Sequence, residues 1–361
     1  MKSSMLEEAD FVLPGAGDYP QLRCAFVRWR PRSTCVGRST SGAHRYPEGT
    51  FRLSLILLHC VGTHKETWQP TIEHLFEALR SEPDPRFAVV EAWAMDAPQH
   101  GHAASLNAHV LLDLPDGLNM EQWNAPLKTL LASGLIEGDR VVGVGHSAGA
   151  LSLITTTIGY QLNCLPFSSV IMVEPPMMTP DIVKHGLEIG CLPMIRAINF
   201  AKTRKDIWSS RDEARAWFGT RSPWRRWDQR VFDLFVRHGL HDLPTAAYPE
   251  RHEGVTLACT RAQDSAAYTR FEECYRALDR LTELCASLPV HAVLGDTLDM
   301  VPAAVHEVCV SEKDGRRMKS IRTVSGAGHL AVQDNPRGVA LEIWRILRDD
   351  YGGQGGTASK L

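Results

Sequence analysis

The amino-acid sequence predicts an α/β protein whose mostly parallel, doubly wound sheet carries an inserted helical cap. Apolar segments of strand length alternate with segments of helical periodicity from residue 51 to residue 176, and again from residue 290 onwards. Such alternation is typical of a parallel sheet with helices on both faces. Between these two regions, residues 177–285 are rich in Trp and Arg and lack a buried-strand pattern, which predicts the cap.

The strands of the predicted core are recognised by their apolar character. Residues 22–31 alternate polar and apolar side chains as an edge strand does, whereas "FRLSLILLHC" (51–60) is almost unbroken and therefore predicted to be buried. The same reasoning predicts further strands over residues 87–96, 139–146, 168–176, 290–296 and 319–326.

The helices between these strands are predicted from apolar residues at three- and four-residue spacing. Trp68, Ile72, Leu75 and Leu79 form one such stripe. Helices are predicted over residues 66–81, 120–136, 148–162, 301–313 and 335–349. The predicted organisation is a core of residues 1–176 and 286–350, a cap of residues 177–285 and a tail of residues 351–361.

The composition argues against several classes of protein. The 361 residues carry a formal net charge of −3, which gives no reason to expect a nucleic acid or an anionic membrane as a partner. No apolar run approaches the length needed to cross a bilayer. The nine cysteines show no CxxC spacing, and their odd number favours a reduced, intracellular protein.

A serine stands at the turn between a predicted strand and a predicted helix. In "VVGVGHSAGALSLI" (141–154), Gly145 and Gly149 lie two places to either side of Ser147. A sharp turn of this kind holds a nucleophilic serine at the top of a sheet, and the following helix directs free N–H groups at the reacting oxygen. The motif predicts a nucleophile; the alternative is an N-cap serine at an ordinary turn.

His329 is the predicted general base. It lies in "SGAGHLAVQDNP" (325–336), just after the last predicted strand, where Gly326 and Gly328 let the loop turn back over the sheet. Serine before histidine is the chain order that accompanies such a turn. His146, next to the serine, is expected to be structural because its side chain should point away from the site.

Three carboxylates could orient the histidine. Glu174 ends the apolar strand "VIMVEPP" (170–176), where a buried charge is costly unless it is paired. Asp296 and Asp299 follow the next core strand, but Leu298 holds the place of the acid in the usual G-x-x-D-x-x-V-P pattern. Glu174 is favoured, Asp299 is the alternative and Asp296 comes third.

Acyl transfer also needs two N–H donors for the oxyanion. Ala148 is expected to supply one from the start of the helix after the serine. The loop "LLHCVG" (57–62) is expected to supply the other, from Val61 or alternatively from Cys60. Cys60 is the weaker idea as a nucleophile, because nothing nearby in the sequence would lower the pKa of its thiol.

Substrate contacts are predicted in this loop and in the cap, although most cap tryptophans are expected to form the core of the cap. The predicted contacts are His59, Cys60, Trp208 and Trp224. A second set of cap residues could meet the phosphates of a CoA thioester, with a solvated basic face as the favoured alternative: Arg204, Lys205, Arg225 and Arg226.

No metal and no cofactor are predicted. His100 and His102 in "MDAPQHGHA" (95–103) are two residues apart with one nearby Asp, which is poor spacing for zinc. Hydrogen-bonding support beneath the pocket is the favoured interpretation of these histidines.

The tripeptide Ser359-Lys360-Leu361 spells a peroxisomal targeting signal. It follows the loose segment "GGQGGTA" (352–358), which would hold the signal clear of the folded body. The peroxisomal matrix is therefore the expected location, and the peroxisomal import receptor is an expected partner. The alternative is a chance tripeptide.

Together these motifs resemble the α/β-hydrolase superfamily over most of the chain outside the insert. "LLHCVGTHKETWQP" (57–70), "GHSAG", "VEPP" and "SKL" are similar to a fungal peroxisomal group within it. That group includes hydrolases of host-selective toxin pathways, a yeast peroxisomal lipase-like protein and the acyl-CoA hydrolase of mycophenolic acid synthesis. The resemblance implies that the acid of the site follows the strand after the serine. At that position this sequence has Glu174, where the group implies Asp. In the loop after the first buried strand it has Cys60-Val61, where the group implies Ala-Asn.

The expected function is that of a peroxisomal serine hydrolase acting on an acyl-CoA thioester or hydrophobic ester, which the resemblance connects with fungal secondary metabolism. Ser147 would attack the acyl carbon, His329 would move the proton and Glu174 would orient His329. The alternatives are a lipase or lactonase with the same triad, or a non-catalytic relative that uses the fold for binding.

Overall fold

A computed structural model describes residues 5–15, 17, 19–32, 46–189 and 193–352. The strands are β1 (Leu6–Pro14), β2 (Arg23–Pro31), β3 (Phe51–Leu58), β4 (Phe87–Met95), β5 (Arg140–His146), β6 (Ser169–Val173), β7 (Ile207–Trp208), β8 (Leu240–Asp242), β9 (Val255–Leu257), β10 (Val290–Gly295) and β11 (Ser320–Val324). The α-helices are α1 (Gln69–Ser81), α2 (Gly101–Leu106), α3 (Ala108–Leu112), α4 (Met120–Ala132), α5 (Ala148–Thr156), α6 (Pro180–Glu188), α7 (Pro193–Thr203), α8 (Arg211–Gly219), α9 (Gln229–His238), α10 (Arg261–Ala266), α11 (Phe271–Cys285), α12 (Ala303–Cys309), α13 (Ala331–Asp334) and α14 (Pro336–Tyr351).

Eight strands form the main sheet in the order β1-β2-β4-β3-β5-β6-β10-β11. The pairs β1–β2 and β2–β4 are antiparallel, and the remaining neighbours are parallel. The predicted mostly parallel, doubly wound sheet is therefore confirmed. Strand β1 is absent from the predicted elements, because its acidic residues interrupt the apolar pattern and leave much of the strand exposed or half-buried.

Apolar clusters cover both faces of this sheet. One face packs against α4, α5 and α11 through residues such as Leu153 and Leu281, and the other packs against α1 and α14 through Ile72 and Ile343. A central strand contributes alternate side chains to both clusters. This burial on two faces is the physical reason for the nearly unbroken apolar strands in the sequence.

The chain between β6 and β10 builds the cap and also returns to the core. It holds the helices α6 to α11 and a small three-stranded sheet in the order β7-β9-β8. The sequence of this region shows no buried-strand pattern, because these strands have two or three residues each, too few to produce a period. Helix α11 falls within the predicted cap range of residues 177–285, yet it packs in the main core. The domain boundary at residue 285 stays a prediction.

No helix within the described residues is both long and apolar enough to span a membrane. The cysteines of the described segments are free thiols: Cys24, Cys60, Cys164, Cys259, Cys274, Cys285 and Cys309. The predicted targeting residues Ser359, Lys360 and Leu361 lie outside the described residues.

Candidate active site

Ser147 sits at the carboxyl end of β5 in an unusual backbone conformation. Its φ and ψ are 54° and −119°, and its N–H donates to the carbonyl oxygen of Val173 over 3.0 Å. A positive φ at a residue other than glycine is uncommon and costs free energy, so the surrounding structure must hold it. Helix α5 begins at the next residue, Ala148.

Two glycines make this turn sterically feasible. A Cβ atom on Gly145 would lie 2.5 Å from Cα of Ala150, and one on Gly149 would lie 2.3 Å from the carbonyl oxygen of Leu58. Both distances are too short for any side chain. The close approach of neighbouring backbone is therefore the reason for both glycines, in agreement with the sequence motif.

A chain of hydrogen bonds runs from Ser147 through His329 to Glu174. Ser147 Oγ lies 2.9 Å from His329 Nε2, and His329 Nδ1 lies 3.2 Å from Glu174 Oε2. With the proton on Nδ1, the ring donates to the carboxylate and offers its Nε2 lone pair to the serine hydroxyl. The structure thus brings together three residues that are remote in sequence, all of them buried.

Glu174 follows β6, and its carboxylate is surrounded by donors. Oε1 accepts the N–H of Gly295 over 2.6 Å, and Oε2 accepts Nε2 of His306 over 3.0 Å as well as His329. Burial alone would raise the pKa of this carboxyl, but the hydrogen bonds from His306 and His329 outweigh it and hold the pKa well below its usual range. Glu174 is therefore ionised at neutral pH and can balance an imidazolium.

His306 is a residue of this site that is missing from the sequence-based prediction. It lies in α12, and neither a glycine motif nor a strand end marks it in the sequence. Only the packing of α12 beside Glu174 brings its ring to the carboxylate. A histidine within a predicted helix after the penultimate core strand is the one signal that the sequence offers.

The two alternative acids contact the histidine loop elsewhere. Asp299 Oδ1 accepts the backbone N–H of His329 over 2.9 Å. Asp296 accepts the N–H of Gly326 through both oxygens, at 3.0 and 2.9 Å. In this geometry both aspartates support the loop, and Glu174 is the carboxylate that contacts the imidazole.

His146 supports the same loop from below. Its Nε2 lies 2.8 Å from the carbonyl oxygen of His329, to which it can donate. Burial, followed by the proximity of His329, lowers the pKa of His146 to about 3, so its ring is neutral across the physiological range. The ring has a structural role, as expected from the sequence, but it lies beside the ring of His329, with 5.7 Å between the centroids, and does not point away from the site.

The predicted oxyanion donors have unoccupied N–H groups. No described residue accepts a hydrogen bond from the backbone N–H of Ala148 or Val61. The neighbouring N–H, that of Gly62, donates to His100 Nε2 over 3.0 Å and so fixes the loop. His59 also supports it: its Nε2 accepts the N–H of Ala97 over 3.0 Å, which leaves Nδ1 to donate to the Cys60 carbonyl over 2.7 Å.

The other predicted substrate contacts face the interior of the cap. Cys60 packs in the aromatic cluster of the cap and its sulfur accepts the Gln333 amide over 3.1 Å. Burial raises the pKa of its thiol to about 11, which argues against a nucleophilic thiolate. In the same cluster the ring of Phe218 contacts Trp208 in a tilted arrangement and Trp224 edge to face. These contacts give no support to a role in binding substrate.

Most of the basic residues considered for CoA phosphates already have acidic partners. Arg204 pairs with buried Asp264, Lys205 with Glu213, and Arg226 with Asp299, each over 2.6 Å. Arg225 is exposed and makes no ion pair with a described residue. Three of these four basic residues are therefore engaged in ion pairs, two of them within the cap and the third, Arg226–Asp299, between the cap and the core.

One His/Cys/Asp cluster among the described residues has approximate metal-ligand spacing. The ligand atoms of His100, Cys259 and Asp264 lie within 4.8 Å of one another, and all three residues are buried. Because His100 Nε2 accepts the Gly62 N–H, its Nδ1 carries the proton and has no lone pair for a metal. Arg204 already neutralises Asp264. The donor set does not fit a metal ion.

A cavity of about 1550 Å³ opens between α2–α3 and the cap. Lys202, Arg237 and His241 are among the residues that line it, but Ser147, Glu174 and His329 are not. The cavity therefore does not contain the serine–histidine–glutamate cluster.

Comparison with known proteins agrees with the fold. The type I acyl-CoA thioesterase mpaH of Penicillium roqueforti is 27% identical to this protein over 289 residues. The match covers 74% of this protein and 58% of that relative. An abhydrolase domain-containing protein of Alternaria alternata, AKT2, is 26% identical over 36% of this chain and 44% of its own length. The chain spans about half the length of the curated relatives it matches.

A solved structure extends the likeness to the whole chain. The peroxisomal alpha-beta-hydrolase Lpx1 of Saccharomyces cerevisiae superposes with a TM-score of 0.72 at 13% identity, over 99% of this chain and 93% of that one. At that identity the likeness shows the fold alone. The model of the alpha/beta hydrolase family matches residues 55–342, most of the sequence. The chain therefore belongs to the α/β hydrolase family.

Proposed function

We propose that this protein is a serine hydrolase in which Ser147, His329 and Glu174 act as the catalytic triad. The observation that carries the proposal is the contact of 2.9 Å between Ser147 Oγ and His329 Nε2. The ionised Glu174 on the other side of the ring supports the same assignment.

The mechanism follows from the positions of the protons. His329 Nε2 takes the hydroxyl proton as Ser147 Oγ attacks the acyl carbon, and Glu174 stabilises the imidazolium that forms. The free N–H groups of Ala148 and Val61 hold the oxyanion of the tetrahedral intermediate. His329 then gives its proton to the leaving group, and the acyl-enzyme is hydrolysed by water that His329 activates in the same way.

The preferred substrate class is an acyl-CoA thioester, with a hydrophobic ester as the next choice. This choice is supported by the name of the Penicillium relatives, type I acyl-CoA thioesterase. A lipase or lactonase activity would use the same three residues. A role in fungal secondary metabolism is proposed on the resemblance of the sequence motifs alone.

The peroxisomal matrix is the proposed location. The tripeptide Ser359-Lys360-Leu361 has the composition that the import receptor binds, and the name of the yeast neighbour includes the word peroxisomal.

A fluorophosphonate probe tests the activity, because it labels only an activated serine. We expect labelling of the full chain and none of Ser147→Ala. Ser152→Ala is the matched control, since Ser152 lies on the same helix α5 but donates to Asn124 over 2.8 Å. An unlabelled wild-type protein would favour a non-catalytic member of the family. Free-acid release from CoA thioesters, p-nitrophenyl esters and lactones then ranks the substrate classes.

A further inference from the structure

Two imidazole rings meet at a single oxygen of the Glu174 carboxylate. Nε2 of His306 lies 3.0 Å from Oε2, and Nδ1 of His329 lies 3.2 Å from the same atom. Only His329 also reaches Ser147. The ring of His306 belongs to α12 and is itself buried.

A glutamate needs this additional donor more than an aspartate would. Its side chain has one more rotatable bond, so more conformational entropy must be lost before the carboxylate stays in one place. The Glu174 backbone is fixed because its N–H donates to Val293 over 2.9 Å. Gly295 N–H fixes Oε1, and His306 fixes Oε2 from a different element. Together the two donors determine the plane of the carboxylate.

The helix that carries His306 is tied to the segment that follows Glu174. Cys309 lies one turn further along α12, and its sulfur contacts the carbonyl oxygens of Met177 and Pro175 at 3.4 and 3.7 Å. The ring of His306 and the carboxylate are therefore held in a common local frame. A donor held in this way can position the acid without contacting substrate.

We propose that His306 is a positioning residue of the hydrolase, which holds the Glu174 carboxylate in register with the His329 ring. The inference rests on the proposed function, since it assigns His306 a part in that triad. Loss of the His306 donor frees Oε2 to rotate away from Nδ1 of His329. The serine then loses an oriented base, whereas the substrate loses no contact.

The experiment compares variants of equal size in the full chain. His306→Gln keeps an N–H donor, and His306→Met keeps the volume without one. We expect the Met variant to lower kcat and the rate of fluorophosphonate labelling about 10- to 100-fold with KM unchanged, the effect of losing a hydrogen bond to a charged group. The Gln variant should recover most of that loss. In His306→Ala, added imidazole should restore part of the labelling rate.

Val305→Ala is the control for packing, because Val305 is the buried neighbour on α12 and makes no side-chain hydrogen bond. The Val305→Ala protein should be labelled by the fluorophosphonate at the wild-type rate, and added imidazole should not change that rate. Equal rates for His306→Gln and His306→Met would overturn the inference, and so would a Met variant as active as the wild type. Failure of the wild-type protein to react would overturn the proposed function as well, which distinguishes the two results.

Discussion

Asp299 binds the backbone of His329, whereas Glu174 binds its ring. The Asp299 Oδ1 atom lies 2.9 Å from the His329 nitrogen, and Glu174 Oε2 lies 3.2 Å from Nδ1 of the imidazole. Two carboxylates thus act on one histidine through different atoms. Only the second can select the tautomer that a general base at Nε2 requires.

This division predicts unequal losses for the two carboxylates. Glu174→Ala should lower kcat by about 10⁴-fold, as expected when the orienting acid is removed from a triad. Asp299→Ala should lower kcat by about tenfold or less, because Asp296 still holds the loop by accepting the Gly326 N–H. Steady-state hydrolysis of one p-nitrophenyl ester by both variants measures the ranking, and the reverse order would transfer the acid's role to Asp299.

The buried His146 predicts a loss of stability in acid. Its pKa of about 3 in the folded protein lies below the ordinary value of 6.5, so the unfolded chain binds a proton that the folded chain excludes. The free energy of unfolding should therefore be largest above about pH 6.5 and decrease as the pH falls from there towards 3. His146→Gln should reduce this dependence on pH, because glutamine does not titrate.

Urea unfolding at pH 7 and pH 5 measures the effect as the difference between the two midpoints. His252→Gln is the control, because His252 is exposed and its replacement should leave that difference unchanged. A His146→Gln protein with the wild-type difference would assign the acid sensitivity to other groups.

The parts of the site that can be predicted from sequence are those that lie at the ends of strands. Ser147, Glu174 and His329 each follow a strand of the main sheet, and parallel strands carry their carboxyl ends to one edge of a sheet. Patterns of apolar residues therefore predict that Ser147, His329 and a carboxylate lie at one edge of the sheet, but they do not choose Glu174 over Asp299, which also follows a core strand. The exception within the sheet is β1, whose mixed polarity hides it.

The parts that cannot be predicted depend on packing between distant elements. His306 belongs to a helix whose sequence gives no sign of the carboxylate beside it. The partners of Arg204 and Arg226 are Asp264 and Asp299, each far away in the chain, so a basic face in sequence becomes a set of ion pairs in the fold. Periodicity identifies elements but does not specify such pairs.

Arg226 connects the cap to the loop that carries His329. Its guanidinium lies 2.6 Å from Asp299 and 3.1 Å from Asp334. Burial raises the pKa of Asp334 to about 6, although the charge of Arg226 acts in the opposite direction. Arg226→Ala should lower kcat/KM by up to about fivefold, because an exposed ion pair contributes little. At 1 M salt the kcat/KM of the wild type should fall towards that of the variant, because the Debye length is then about 3 Å and the ion pair is screened. Arg225→Ala is the control, because Arg225 makes no ion pair among the described residues; it should retain wild-type activity at both salt concentrations. Equal effects of the two substitutions would contradict the role of Arg226 in connecting the cap to the His329 loop.

The proposed targeting tripeptide predicts location independently of activity. A fluorescent protein fused before the full chain should collect in peroxisomes, and deletion of Leu361 should leave it in the cytosol because the receptor binds the complete tripeptide. Microscopy with a peroxisomal marker measures the overlap. Ser147→Ala is the control, because loss of the nucleophile should not change import. Unchanged location after the deletion would show that another signal directs the protein.

The turn around Ser147 predicts that Gly149 tolerates no side chain. A Cβ there would lie 2.3 Å from the carbonyl oxygen of Leu58, which belongs to β3 and cannot move without disturbing the sheet. Gly149→Ala should lower the free energy of unfolding by about 1 to 3 kcal/mol, the usual cost of overpacking, and displace the proposed oxyanion donors. Gly159→Ala is the control, since a Cβ at that position would meet nothing within 4 Å. Urea unfolding of both variants, with their labelling rates, measures the outcome; an active Gly149→Ala protein of normal stability would show that the turn can open without harming the site.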